Sequence, residues 1–431
     1  MKRLLVSILM LCSTAHAADL VYYVDTGSAG DGDGTTAATS GANCAFASLF
    51  DAEAALEQDL TAGAGNTMTI HCNRTNGGGV DGTAVSIAGW TTSETCYLKI
   101  VQDDFPSDGI FDDTLYLLEN SSGTNVVSIG EDYVFFENVQ FSLILTSAVT
   151  RYLVQANGQG ANNVLSFDSC IFNGSISAGN AGYALYLTAD PDDQIEVRNC
   201  TFSGFINGAS SGFGAISAGA DRGYLKLYGC TIENSYGGVY AGDTDVVEMY
   251  NTAIFNCAAD VDNVASFDVI SHCASDDDLS SADAGWVDLN ENASGEWTAA
   301  FTAYSSTPPD LSVKDASSPI YNTGGDLSGT LDDDIIGTAR PQATTYDIGA
   351  YEFISGTPPA TTNRHPPVIW FSDRSWQPYA PQWRNETALI YWCMGHPNTP
   401  LLSVLSDPSV EYQARQRFWQ ATTKYPVLRS L

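Results

Sequence analysis

Asp168, Arg198 and Tyr228 stand thirty residues apart, each at the same place in one of three similar phrases: VLSFDSCIFNG (164–174), QIEVRNCTFSG (194–204) and YLKLYGCTIEN (224–234). Weaker copies, YVFFENVQFS (133–142) and VVEMYNTAIFN (246–256), add Glu137 and Tyr250 to the same column. Two residues earlier runs a second column: Phe135, Ser166, Glu196, Lys226 and Glu248. These types suit a sugar chain. Carboxylates and guanidinium hydrogen-bond hydroxyls, and phenol rings stack on pyranose faces. A lyase needs a base for the proton beside a uronate carboxyl and a cation for the charge that develops. Arg198 or Lys226 beside Glu196 and Asp168, with bound calcium, offers those groups. The same residues also read as plain cross-strand ion pairs, Glu196 with Lys226 and Asp168 with Arg198, worth about a few tenths of a kcal/mol each.

A fixed repeat of this length, rich in β-branched and aromatic residues, predicts a solenoid. Apolar residues alternate through each phrase: Val134/Phe136, Leu165/Phe167, Ile195/Val197, Leu225/Leu227 and Val247/Met249. Period two puts them on one inner face and both columns on the outer face. Cys170, Cys200 and Cys230 follow at the same spacing. They read as an interior ladder of free thiols, since cysteine behaves as a small buried apolar residue. A second strand recurs at Tyr183–Leu187, Phe213–Ser217 and Tyr236–Tyr240, with Tyr183 and Phe213 again thirty apart. Gly/Asn turns join the two. A β-sandwich would need turns but no fixed register.

The remaining chain divides by composition. Residues 1–17 read as a signal peptide: a Lys2-Arg3 start, the apolar run Leu4–Leu11, and Ala15-His16-Ala17 as cleavage site. Tyr22–Val24 reads as a first strand, 25–43 as a loop, and Phe46–Leu60 as a short helix. Short strands broken by Gly, Asn and Asp follow from Met68. Beyond Cys273 the pattern decays into acidic loops such as Asp276–Asp278. Residues 354–362, ISGTPPATT, form a linker. Residues 363–431 differ in kind, with five of the chain's 8 tryptophans and a basic balance, and 409–422 reads as a helix. No segment is long and apolar enough to be transmembrane. The net charge of -34 excludes nucleic acid and anionic membrane as partners.

Three stretches resemble the secreted right-handed parallel β-helix proteins of the pectate-lyase-like superfamily. YYVDTGSAGDGDGTT with FASLFDAEAAL is similar to their opening strand and capping helix. GWTTSETCYLKIVQDD (89–104) resembles a first coil, and LDDDIIGTARPQATTYDIGAYEF (331–353) resembles the phrase that ends many such domains. The resemblance covers about residues 20–353. It implies an all-β parallel β-helix with an N-terminal capping helix and a small C-terminal extension. Such proteins include polysaccharide lyases, hydrolases, adhesins and phage tail proteins, so the fold leaves function open.

Other candidates are sparser. Asp31 and Asp33 suit calcium but lack the remaining ligands of a calcium loop. His71 and Cys72 are adjacent, yet two ligands do not make a zinc site. Cys257 and Cys273 are close enough in sequence to pair. Asp332–Asp334, Arg340 and Asp347 read as groups that tie down the end of the solenoid. The expectation is an exported protein, secreted or at the cell surface. It binds a polysaccharide or cell-surface glycan through Glu137, Asp168, Glu196, Arg198, Lys226, Tyr228 and Tyr250, requires no cofactor, and has calcium as the one candidate ion. The 363–431 module attaches to an envelope or another subunit. The alternative is a lyase or glycoside hydrolase acting on an acidic glycan. The scarcity of Lys and Arg before residue 354 places binding ahead of it.

Overall fold

The computed structural model describes residues 18–354 and the short strands 369–370 and 376–377. Within 18–354 it leaves aside 31, 63–64, 76, 121–123, 147–149, 158–163, 178–180, 189–193, 207–213, 219–223, 243–245, 263–266, 278–284 and 290–293. The chain separates into two compact units, Met1–Ser355 and Gly356–Leu431. The readings of 1–17 as a signal peptide and 409–422 as a helix lie outside the described residues, as do Asp31 and Asp278.

The first unit is a parallel β-helix. Each coil contributes strands to three long parallel sheets. The first sheet has nine strands: Ala18–Asp25, Asn66–Asn73, Leu98–Gln102, Val134–Glu137, Val164–Asp168, Gln194–Arg198, Tyr224–Tyr228, Val246–Tyr250 and Phe267–Ser271. The second runs over eight strands from Leu118–Asn120 to Val287–Asp288, and the third over seven from Val85–Ile87 to Ala259–Asp262. Three strands per coil is one more than the repeats reveal. In the third sheet Leu185 pairs with Ile216, a step of thirty-one residues rather than the thirty that matches Tyr183 with Phe213 in sequence. That match followed an aromatic in a turn-rich stretch where the loop length differs by one residue; Phe213 itself lies outside the described residues.

Alternation builds the interior. Val134, Phe136, Leu165, Phe167, Ile195, Val197, Leu225, Leu227, Val247 and Met249 are all buried in one core. Like rings stack on like rings: Phe141, Phe172 and Phe202 lie parallel with centroids 4.8 and 4.5 Å apart. Cys170, Cys200 and Cys230 form the expected ladder of buried free thiols. The Sγ of each donates to the carbonyl two residues back, at Asp168, Arg198 and Tyr228. Burial raises the Cys230 thiol to about 12. Cys257 and Cys273 are also free, so the pairing that their nearness in sequence allowed does not form.

A ladder of left-handed residues turns each coil out of the first sheet. Asn138, Ser169, Asn199, Gly229, Asn251 and His272, each directly after its strand, all have φ between 48 and 57°. Asn and Gly tolerate this region best. The backbone N–H of each of the first five donates to the next coil, for example Asn199 to the carbonyl of Tyr228 at 2.9 Å.

The helix near the start is shorter than its sequence reading. It spans Leu49–Leu56, with Ser48 capping the N–H of Asp51 and with Leu49, Ala52 and Leu56 buried over the first coils. Phe46 instead bridges to Val24 in parallel-strand fashion.

The C-terminal part of the solenoid unit departs most from expectation. Residues 331–353 do not sit at the end of the coils. They lie along the side of the stack, against the outer face of the second sheet. Ile171, Ala253 and Phe255 point outward there into a second core with Phe301, Leu311, Ile348, Ala350 and Tyr351. Gly349 N donates to the carbonyl of Asn251, Ala350 N to Thr231 Oγ1, and Tyr351 OH to the carbonyl of Gly109. Outward apolar residues on that sheet demand a cover, and this segment supplies it together with Trp297, Phe301, Tyr304 and Leu311. Asp334, Arg340 and Asp347 serve the segment internally. Arg340, fully buried, donates to the carbonyls of Asp347 and Gly349, while the Asp347 carboxylate accepts from the N–H groups of Asn322 and Phe353.

Candidate functional site

The outer face of the first sheet carries both columns in continuous register. Glu137, Asp168, Arg198, Tyr228 and Tyr250 are consecutive partners, as are Phe135, Ser166, Glu196, Lys226 and Glu248. Above Glu137 the first column continues through Val101 and His71 to Tyr23, and below Tyr250 to Ser271. Above Phe135 the second gains Lys99 and Thr69. The seven residues expected to contact sugar therefore share one flat strip, with rungs about 4.8 Å apart.

The ion pairs differ from the cross-strand pairs expected. Arg198 turns back along its own strand to Glu196, and Lys226 reaches down to Glu248 at 3.5 Å. Lys99 pairs with Glu137. Residues two apart on a strand share a face, and the long arginine side chain spans that distance. No Asp168–Arg198 pair forms among the described residues. Asp168 instead accepts from Ser169 Oγ at 3.1 Å. Burial raises its carboxyl above the usual range; Ser169 and Arg198 oppose this, whereas Glu137 and Asp333 add to it.

Tyr228 and Tyr250 stack with centroids 5.3 Å apart and planes 10° from parallel. The Arg198 guanidinium lies 6.0 Å from the Tyr228 ring centre, within cation–π range. Partial burial pushes the Tyr228 phenol up to about 12, with Glu196 and Glu248 adding to it. Tyr250 OH donates to Glu248, fixing the same carboxylate that holds Lys226. Tyr224, two residues before Lys226 on the same face, is 39% exposed and adds a third tyrosine to that face. Sequence reading missed Tyr224 and Lys99. The signal for Tyr224 was the alternation already in use. Lys99 sits in a coil thirty-six residues before the next, outside the thirty-residue repeat.

The C-terminal segment walls one edge of this strip. A Cβ on Gly229 would stand 3.3 Å from Leu331 and 3.4 Å from Arg340, so the wall packs closely on that turn. Asn251 binds Gly325, and Asp333 lies near enough to Asp168 to raise it.

The other candidates separate. His71 faces outward, bonded to Asp103 at 2.7 Å and stacked on Tyr23, while Cys72 is fully buried on the opposite face. Adjacent strand residues point apart, so the two do not form a joint ligand set. Asp33 accepts from the N–H and hydroxyl of Thr35 in an exposed turn. Among the described residues no three His, Cys, Asp or Glu are grouped to hold a metal ion.

No protein family model matches this chain, and no curated protein matches it. Among solved structures, that of pectate lyase Pel9A is similar, at 12% identity, over 79% of this chain and 97% of that one, with a TM-score of 0.30. The fold rests on the strand register. No helix among the described residues is long and apolar enough to cross a membrane.

Proposed function

We propose that this is an exported β-helix protein that binds a polysaccharide along the outer face of its first sheet. The observation that carries the reading is the continuous strip from Glu137 to Tyr250, with two parallel phenol rings and a third, exposed tyrosine on the same face. A solenoid repeats its surface at the rung spacing, which suits an extended chain of sugar rings better than a compact ligand. Rings supply stacking area at little cost in conformational entropy, and the carboxylates and Arg198 supply hydroxyl contacts. The 363–431 module is assigned to attachment, to an envelope, a glycan or another subunit.

Affinity electrophoresis tests this. Gels containing single neutral or acidic polysaccharides should retard the wild-type protein in at least one case. Tyr228→Ala and Tyr250→Ala should each weaken that retardation by on the order of tenfold, a typical loss for a stacking contact. Equal retardation of both variants and the wild type would remove the strip from the account.

A further inference from the structure

Resting on the strip as the binding face, we infer that its ligand is a glycan free of carboxylates, and that amino-bearing sugars bind it most tightly. The argument is one of charge left over. Three cations stand on this face among the described residues: Lys99, Arg198 and Lys226. Each is already held by a carboxylate of the same face, Glu137, Glu196 and Glu248 respectively. Tyr250 OH reinforces the last of these. A uronate reaching one of these cations would share it with the carboxylate already there, and so meet a like charge at close range.

The fourth carboxylate, Asp168, has no cationic partner among the described residues; its one hydrogen bond is from Ser169 Oγ. It sits half-buried at the centre of the first column, one rung above Arg198 and two above Tyr228. Glu137 on the rung above and Asp333 on the wall give the same negative sign, and Arg198 is the one cation acting on it. Partial burial strengthens whatever opposite charge reaches this carboxylate. An ammonium on a sugar ring stacked at Tyr228 is such a charge. A uronate is repelled by the same group.

Titration calorimetry with three hexasaccharides decides it: glucosamine, N-acetylglucosamine and galacturonate, the last in chelator and again with calcium. The expected order is glucosamine tightest, by about tenfold over its acetylated form at low salt. Galacturonate should give no detectable heat. Asp168→Asn should abolish the preference for the amine, weakening glucosamine far more than the acetylated ligand, so that the two bind alike. Raised salt should narrow the gap. Binding that reflects only the overall negative charge of the chain would survive Tyr228→Ala and Tyr250→Ala; the expected binding does not. Tyrosine-dependent binding of galacturonate, with or without calcium, at or above the affinity for glucosamine overturns the ligand class and leaves the strip as a binding face. Loss of tyrosine dependence for all three removes the strip itself, and this inference with it.

Discussion

Asn251 and Gly325, seventy-four residues apart, exchange two hydrogen bonds: Asn251 Nδ2 donates to the Gly325 carbonyl at 2.9 Å, and Gly325 N donates to Asn251 Oδ1 at 2.7 Å. The amide side chain thus behaves as a strand partner for the C-terminal segment. Asn251 also occupies a rung of the left-handed turn ladder, at φ 48°. One residue both turns the coil and fastens the wall of the binding strip.

Asn251→Ala should therefore be costly in two ways. It loses both hydrogen bonds, at about 1 kcal/mol each, and adds about 1 kcal/mol for a left-handed alanine. The expected destabilisation is roughly 2–4 kcal/mol by denaturant unfolding. Asn251→Gly should recover the backbone part alone. Equal stability of the alanine variant and the wild type would show that the segment is held by the second core without this contact.

The thiol ladder gives a kinetic test. Cys170, Cys200 and Cys230 are buried to the last percent, and burial raises the Cys200 and Cys230 thiols well above their ordinary range. Reaction requires the thiolate. A small maleimide should leave all three unmodified in the native protein and label them at once in denaturant. Rapid native labelling of the three would contradict the coil register.

Stability should fall as pH rises from the acid side toward neutrality. Burial raises Glu233 from 4.5 to about 7, despite hydrogen bonds from Ser203 and Asn256. Asp347 moves the same way, to about 7, and Asp81 to about 6, each chiefly through burial. Between 4.5 and about 7 the folded state holds a proton at Glu233 that the unfolded state has lost. Stability therefore drops with rising pH across that window and levels above it. Glu233→Gln keeps the shape and removes the charge. It should stabilise the protein by roughly 1–3 kcal/mol near pH 8 and change little near pH 4. A variant with the same slope of melting temperature against pH as the wild type would place the ionisation elsewhere.

Deletion of 363–431 should leave a folded solenoid with nearly unchanged melting. The second core and the Arg340 network lie wholly within residues 18–353. Aggregation of the shortened chain with loss of its β-sheet signal would show that the tail covers part of the solenoid.

The coils and both outward columns could be read from sequence because period-two alternation and the thirty-residue step are local and repeated. Phe167, Val197 and Leu227 announce the inside, and the residues between them announce the outside. Three features escaped. The side-chain pairing of Arg198 with Glu196 depends on rotamer and reach, which a column of letters does not encode. The strand that each coil gives to the second sheet starts directly after the cysteine, at Ile171, Thr201 and Thr231, and so read as the tail of the first. The spacing between the second and third sheets varies along the chain, which hid the thirty-one-residue step at Leu185 and Ile216. The lateral course of 331–353 is a long-range packing event. Its trace in sequence was the outward Ile171, Ala253 and Phe255, apolar residues on the face of a strand that water should have wetted.

The central claim is that the outer face of the first sheet holds an extended sugar chain. A crystal structure of the protein soaked with the oligosaccharide that binds most tightly in calorimetry tests it most directly. The account predicts sugar rings running across the strands, one stacked against Tyr228 or Tyr250 and a polar group of the ligand at Asp168. Oligosaccharide found instead on the second sheet, on the segment that covers it, or on the C-terminal module, with the strip bare, would contradict it.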